Sequence, residues 1–141
     1  MRTRYVATLL SLIGGALVIA GTLFLPIVYG NGGGDGGIPV SEWEVVVFLF
    51  RYLWAPIGVL YALPLLCALY GVVTGFAGIG RAPSPRLILW RRGVALAGLL
   101  IQAPLGAFAA VLYSFSFNLG GGFFLVLLGF MVMIAGAFLK R

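Results

Sequence analysis

Polar residues thin out four times along the chain. The apolar runs left behind are Tyr5 to Val28, a stretch within Val45 to Ile79, Gly93 to Tyr113, and Leu119 to Leu139. A helix needs about 20 mainly apolar residues to cross roughly 30 Å of hydrocarbon, so each run predicts one membrane span. The second run is too long for a single upright helix, since its 35 residues would reach about 52 Å at the helical rise. Pro56 offers a break. The pattern therefore predicts a short helix over Ser41 to Trp54, at or near the membrane interface, followed by a span over Ala55 to Ile79. The alternative is one long tilted helix from Trp43, kinked at Pro56 and Pro64. The expected architecture is an all-α integral membrane protein, a single four-helix domain over residues 1–141. Its spans fall at about 5–28, 55–79, 93–113 and 119–139, with outer loops at 29–54 and 114–118 and an inner loop at 80–92.

Composition sharpens this reading. The chain is 62% hydrophobic and 9% charged, against about a quarter charged in soluble domains. A soluble fold of this size buries only about two thirds of the surface its unfolded chain exposes, too little to hide so much apolar area. The first run has a basic start and small residues at Ala20 and Gly21, as a signal peptide would. It runs on through Phe24, Leu25 and Pro26, longer than a signal core, and a retained helix is expected.

Charge gives direction. Arg2 and Arg4 precede the first span, Arg81, Arg86, Arg91 and Arg92 lie between the second and third, and Lys140 and Arg141 follow the fourth. All eight fall on one side of an even-span arrangement, and Arg51 alone falls on the other. The Lys/Arg excess marks the cytoplasmic side, so both termini are expected there. Asp35, Glu42 and Glu44 land outside, Trp43 and Trp54 at the outer interface, and Trp90 at the inner one. Tyr113, Phe115 and Phe117 extend the outer aromatic belt. The net charge of +6 is too clustered for a nucleic-acid stripe. Anionic headgroups of the inner leaflet are the expected counter-charge, with Arg81, Arg86, Arg91 and Arg92 as the contacting residues. Arginine strongly outnumbers lysine, which points to a GC-rich genome, and a prokaryotic plasma membrane is the expected location.

Small residues recur within each span. The first carries Ala7, Gly14 and Gly21, and the fourth Gly122, Gly129 and Gly136, both at intervals of seven. A strict seven-residue repeat favours a left-handed supercoil. The second carries Cys67, Gly71 and Gly75, and the third Gly98, Gln102, Gly106 and Ala110, both at intervals of four. Lipid is as apolar as leucine, so helices pair in it by close backbone approach at such stripes. Either all four stripes face inward and build one bundle, or one faces out and seats a partner or a second copy.

Candidate chemistry is sparse. Histidine is absent, no acid lies within a span, and HExxH and CxxC do not occur. The usual general base, haem ligand and carboxylate proton relay are therefore missing. Cys67 is the only cysteine, so no intrachain disulfide forms. Neither catalysis, cofactor nor metal is expected. Gln102 is the one strongly polar side chain near a midplane, and Pro104 frees the carbonyl of Leu100. Gln102 reads as interhelical glue to that carbonyl, or to Thr74 or Ser11, worth about 0.6 kcal/mol. Alternatively it is a polar step in a permeation path. Arg51 reads as a snorkelling side chain near Glu44, or as an anchor for an anionic group. The stretch NGGGDGG at 31–37 lacks the Lys and Ser/Thr of a phosphate loop and reads as a flexible exit and return. The functional expectation is an accessory or scaffolding subunit of a larger membrane complex, acting through helix contacts. The alternatives are a small transporter or channel component using Gln102, and a lipid- or stress-responsive protein using the arginine loop.

Overall fold

The computed structural model describes residues 2–30, 38–52, 55–79, 83–114 and 120–139, with backbone alone at 27–30, 38, 42, 52, 55, 57 and 109–114. In chain order the described elements are α1 Arg2–Phe24, β1 Pro26–Gly30, β2 Ile38–Ser41, α2 Glu42–Tyr52, α3 Ala55–Ala77, α4 Pro85–Ser114 and α5 Gly121–Phe138. Helices α1, α3, α4 and α5 are long and apolar enough to cross a membrane. Their outward faces are greasy: Leu100 is 73% exposed, Val73 64% and Phe124 59%. The buried set, by contrast, includes Thr8, Ser11, Thr22, Thr74, Arg91 and Gln102. Polar groups inside and large apolar groups outside invert the arrangement water imposes, and a soluble monomer rarely exposes apolar patches on this scale. The chain has the build of a multi-pass membrane protein.

The four long helices close a ring. Helix α1 packs on α5 and α3, and α4 packs on the same two from the other side. The α1/α5 contact is the tightest, and its cause is the seven-residue stripes. A Cβ added to Gly14 would stand 2.5 Å from the Gly129 carbonyl oxygen, and one on Gly129 would stand 2.7 Å from that of Gly14. The same holds at both ends: 3.0 Å from Gly21 to the Gly122 oxygen, and 2.9 Å from Gly136 to the Ala7 oxygen. Ala7, Gly14 and Gly21 thus meet Gly136, Gly129 and Gly122 in antiparallel register, backbone on backbone.

At the far end from the termini, β1 and β2 pair antiparallel, with Val28 opposite Val40, Tyr29 opposite Pro39 and Gly30 opposite Ile38. The pairing is irregular between Pro26 and Val28. Pro26 to Val28, expected at the end of the first span, residues 29, 30 and 38–40, expected within a loop, and Ser41, expected to open the short helix, form the legs of a hairpin instead; α1 stops at Phe24, and β1 packs on α4 and α5. The glycine-rich tip, 31–37 with Asp35, lies outside the described residues.

The second apolar region divides as the shorter-helix reading expects. A Cβ on Gly58 would meet the Phe50 ring at 2.7 Å. One continuous helix would hold these positions about 12 Å apart, so the chain folds back between α2 and α3 and the single kinked helix is excluded. Helix α2 opens on a capping box: the Ser41 backbone N–H donates to Glu44 Oε2 at 2.7 Å, and the Glu44 N–H donates to Ser41 Oγ at 3.3 Å. Its apolar face does not lie out at an interface. Val45, Val46 and Leu49 are buried with Val40, Tyr61 and Phe123, and seal the hairpin end of the bundle. A second cluster of Val18, Ala68, Ala95, Val126, Phe130 and Met133 fills the middle.

Helix α4 starts earlier than the span pattern suggests. The Leu87 N–H donates to Ser84 Oγ at 3.2 Å, and Pro85 takes the first helical position. At 30 residues α4 is about 45 Å long, longer than the hydrocarbon is thick. Its first two turns carry Arg86, Arg91 and Arg92 on a helix rather than in a loop.

Candidate functional site

Two polar places stand out in an otherwise apolar interior. The first is midway along α3 and α4. Gln102 is fully buried, one turn from Gly98 and one from Gly106. Those two glycines are hollows for aromatic rings of α5: a Cβ on Gly98 would strike Phe130, and one on Gly106 would strike Phe123. The stripe Gly98–Gln102–Gly106 thus faces inward, while Ala110 is described by backbone alone. On α3, a Cβ on Gly71 would strike the Met133 methyl, and one on Gly75 would come within 2.9 Å of the Leu12 side chain. Ser11 and Thr74, expected as partners of Gln102, donate elsewhere. Ser11 Oγ reaches the Gly71 carbonyl at 3.0 Å, and Thr74 Oγ1 reaches Tyr70 O at 2.8 Å.

Each of α3 and α4 carries an internal proline here, Pro64 and Pro104. Each removes one helical hydrogen bond. Tyr61 spans the gap between these weakened segments: its hydroxyl donates to the Leu105 carbonyl at 2.5 Å, and its ring lies 6.2 Å from that of Phe108. Sequence reasoning passed over Tyr61. The available signal was its phenol in an apolar run, since a buried Tyr hydroxyl ordinarily finds an acceptor. Replacing Tyr61 by Phe removes that single donor and keeps the ring. The expected loss is about 0.6–1 kcal/mol of unfolding free energy in mild detergent, with no change for Tyr5→Phe on the exposed face.

The second polar place is the arginine end. Arg91 is only 6% exposed, and its Nη2 donates to the Thr74 carbonyl in the last turn of α3. Arg92 turns to the other neighbour: its Nε donates to the Ala137 carbonyl at 3.0 Å, and its guanidinium lies 4.8 Å from the Phe138 ring centroid. Helix C-termini leave carbonyls without helical partners and carry partial negative charge, which a cation relieves. Adjacent arginines on α4 therefore reach the ends of the two helices flanking it: Arg92 caps α5 at the Ala137 carbonyl, and Arg91 adds a charged donor to the Thr74 carbonyl of α3, which also accepts from the Gly78 N–H at 3.1 Å. Both were expected among lipid headgroups; the structure turns them to protein carbonyls because α3 and α5 end beside them. Arg86 remains exposed, as does Trp90 at 67%. Arg51 is exposed in the last turn of α2. Arg81, Trp54, Phe115, Phe117, Lys140 and Arg141 lie outside the described residues, and Tyr113 is described by backbone alone.

Ser11, Tyr70, Gly71, Arg91 and Met133 line a cavity of about 10 Å³ beside this cap. That is about the least space one water needs. No cluster of three or more His, Cys, Asp or Glu occurs among the described residues. Chemically, Ser11, Tyr61, Arg91 and Arg92 hold helices to one another, while Thr22 and Thr74 donate to carbonyls of their own helices. Compared with protein-family models, curated proteins and solved structures, the chain matches none.

Proposed function

We propose that the chain is a non-catalytic accessory or scaffolding subunit of a larger membrane assembly in a prokaryotic plasma membrane, with both termini cytoplasmic. The observation that carries this reading is the open face of α4. Leu89, Gly93, Leu96, Leu100 and Ala103 are all exposed and follow one another at alternating steps of four and three. A Cβ on Gly93 would meet nothing within 4 Å. That spacing is the seam along which helices cross at a shallow angle, and the small residues at Gly93 and Ala103 allow close approach. The inward stripes, meanwhile, are occupied within the chain. Anionic lipids of the inner leaflet are the other proposed contact, with Arg86 in the first turn of α4 the outward basic side chain.

Native mass spectrometry in mild detergent tests this reading. The expected result is a complex with another membrane protein or a second copy, lost when Gly93 and Ala103 are replaced by Phe. A lone monomer at every detergent strength counts against it. The buried Gln102 sustains a second reading, a transport component. Gln102→Leu separates the two: a subunit keeps its assembly and loses about 0.6 kcal/mol of stability, whereas a transporter loses flux while folding normally.

A further inference from the structure

A wide recess lies on the outside of the molecule, between α1 and α3. Leu12, Ala16, Ile19, Ala20 and Phe24 of α1 form one wall, Val72 and Phe76 of α3 the other, and the groove measures about 460 Å³. Ala16 and Ala20 make it deep, because they stand where larger side chains would otherwise fill the helix–helix notch. Every lining residue is apolar. The face does not stay apolar along its whole length. Residues three, four and seven apart share one side of a helix, so the stripe Ile19, Ala16, Leu12 continues through Leu9 and Tyr5 to Arg2. Leu9 is 55% exposed, Tyr5 is 64% exposed, and Arg2 is exposed. One continuous face therefore offers an acyl-sized trough, then a phenol, then a guanidinium at the end of the bundle that also bears Arg4 and Arg86.

We infer that the end of this groove nearer the N-terminus is a site for one anionic phospholipid, the tip of its acyl chain lying over Leu12 and Ala16 and its phosphate beside Arg2 and Tyr5. The inference rests on the membrane-embedded reading and names the lipid contact within it. Charge complementarity selects the occupant. A partner helix would have no use for a cation at the end of an apolar trough, whereas a phospholipid needs that polarity at one end only. Arg91 and Arg92 are engaged with helix ends, and Arg2 is available. A basic group near an anionic surface favours it by about fivefold over a neutral one.

The test uses the whole chain in nanodiscs of equal phosphatidylglycerol and phosphatidylcholine, released into the gas phase by native mass spectrometry. The expected result is one phosphatidylglycerol retained on the chain when phosphatidylcholine has been stripped. Ala16→Leu fills the trough from the lipid side and should abolish that adduct without lowering thermal stability. Arg2→Gln should keep an adduct but reduce the preference for phosphatidylglycerol by about fivefold. Equal retention of the two lipids, or an unchanged adduct in Ala16→Leu, leaves only annular lipid and overturns the site. If Ala16→Leu proves unstable, the loss of phosphatidylglycerol preference in Arg2→Gln carries the test by itself, and an unchanged preference there overturns the site. A protein adduct displaced by Ala16→Leu, with no lipid retained, overturns it in favour of a partner helix. Partner capture through Gly93 and Ala103 is measured separately, so failure here leaves the subunit reading untouched.

Discussion

Gly129→Ala is expected to lower the unfolding free energy by about 2–3 kcal/mol, while the same substitution at Gly93 raises it by up to about 1 kcal/mol. Both glycines sit inside long helices, and their surroundings differ. At Gly129 the new methyl would stand 2.7 Å from the Gly14 carbonyl oxygen and 2.9 Å from the Val18 nitrogen. Both are backbone atoms, which cannot rotate away, so α1 and α5 must separate. Separation loosens the whole stripe, because Gly21–Gly122 and Ala7–Gly136 depend on the same interaxial distance. At Gly93 nothing lies within 4 Å, and the methyl simply removes the entropy penalty of glycine in a helix. The double variant Gly14→Ala/Gly129→Ala should cost less than the two singles together, because the first methyl has already pushed the helices apart. Reversible unfolding in detergent or bicelles reads all four. Equal effects at Gly129 and Gly93 would mean that the α1/α5 contact is not the tight one.

Arg91→Met should cost about 2–3 kcal/mol, Arg92→Met about 1 kcal/mol, and Arg86→Met less than about 0.5 kcal/mol. The ranking follows what each guanidinium touches. Arg91 is buried and donates to the Thr74 carbonyl at the C-terminal end of α3. Removing it takes the charged donor from the Thr74 carbonyl and leaves that carbonyl with the Gly78 N–H alone. Arg92 is half-buried, bonds the end of α5 and stacks on Phe138, and solvent screens part of its contribution. Arg86 is exposed. If all of them serve lipid headgroups alone, the three variants should unfold alike and differ from the parent only in binding to anionic vesicles. The proposed arrangement gives the opposite pattern for Arg91: altered stability with vesicle binding unchanged.

How legible this was in the sequence depends on the range of the interaction. The spans are local facts, since twenty apolar residues leave few options. The stripes of seven could be read because glycine at that interval has one helical face to occupy. Their pairing, Gly14 with Gly129 rather than with a glycine of α3, could not, because it depends on which helices are neighbours in the ring. The hairpin was hidden for a related reason. PIVYG and IPVS are five and four residues long and each carries a proline, and their neighbours are distant in sequence: β1 packs on α4 and α5, and β2 on α2 and α1. The start of α4 did have a local signature, Ser84 followed by Pro85, but the surrounding arginines favoured a loop reading. The targets of Arg91 and Arg92 were beyond sequence reasoning altogether. A long side chain goes to the nearest acceptor, and the acceptors are set by where two other helices stop.

The central claim is that four rods cross hydrocarbon with the arginine end in the cytoplasm. Labelling by a membrane-impermeant maleimide in intact cells tests it most directly. Cys67 is the only cysteine, so Cys67→Ser gives a silent background for Pro39→Cys at the hairpin and Arg86→Cys at the start of α4, both exposed positions. The account predicts that Pro39→Cys reacts in intact cells and Arg86→Cys only after permeabilisation. Reaction of Arg86→Cys from outside with Pro39→Cys protected, or of both from the same side, would contradict it.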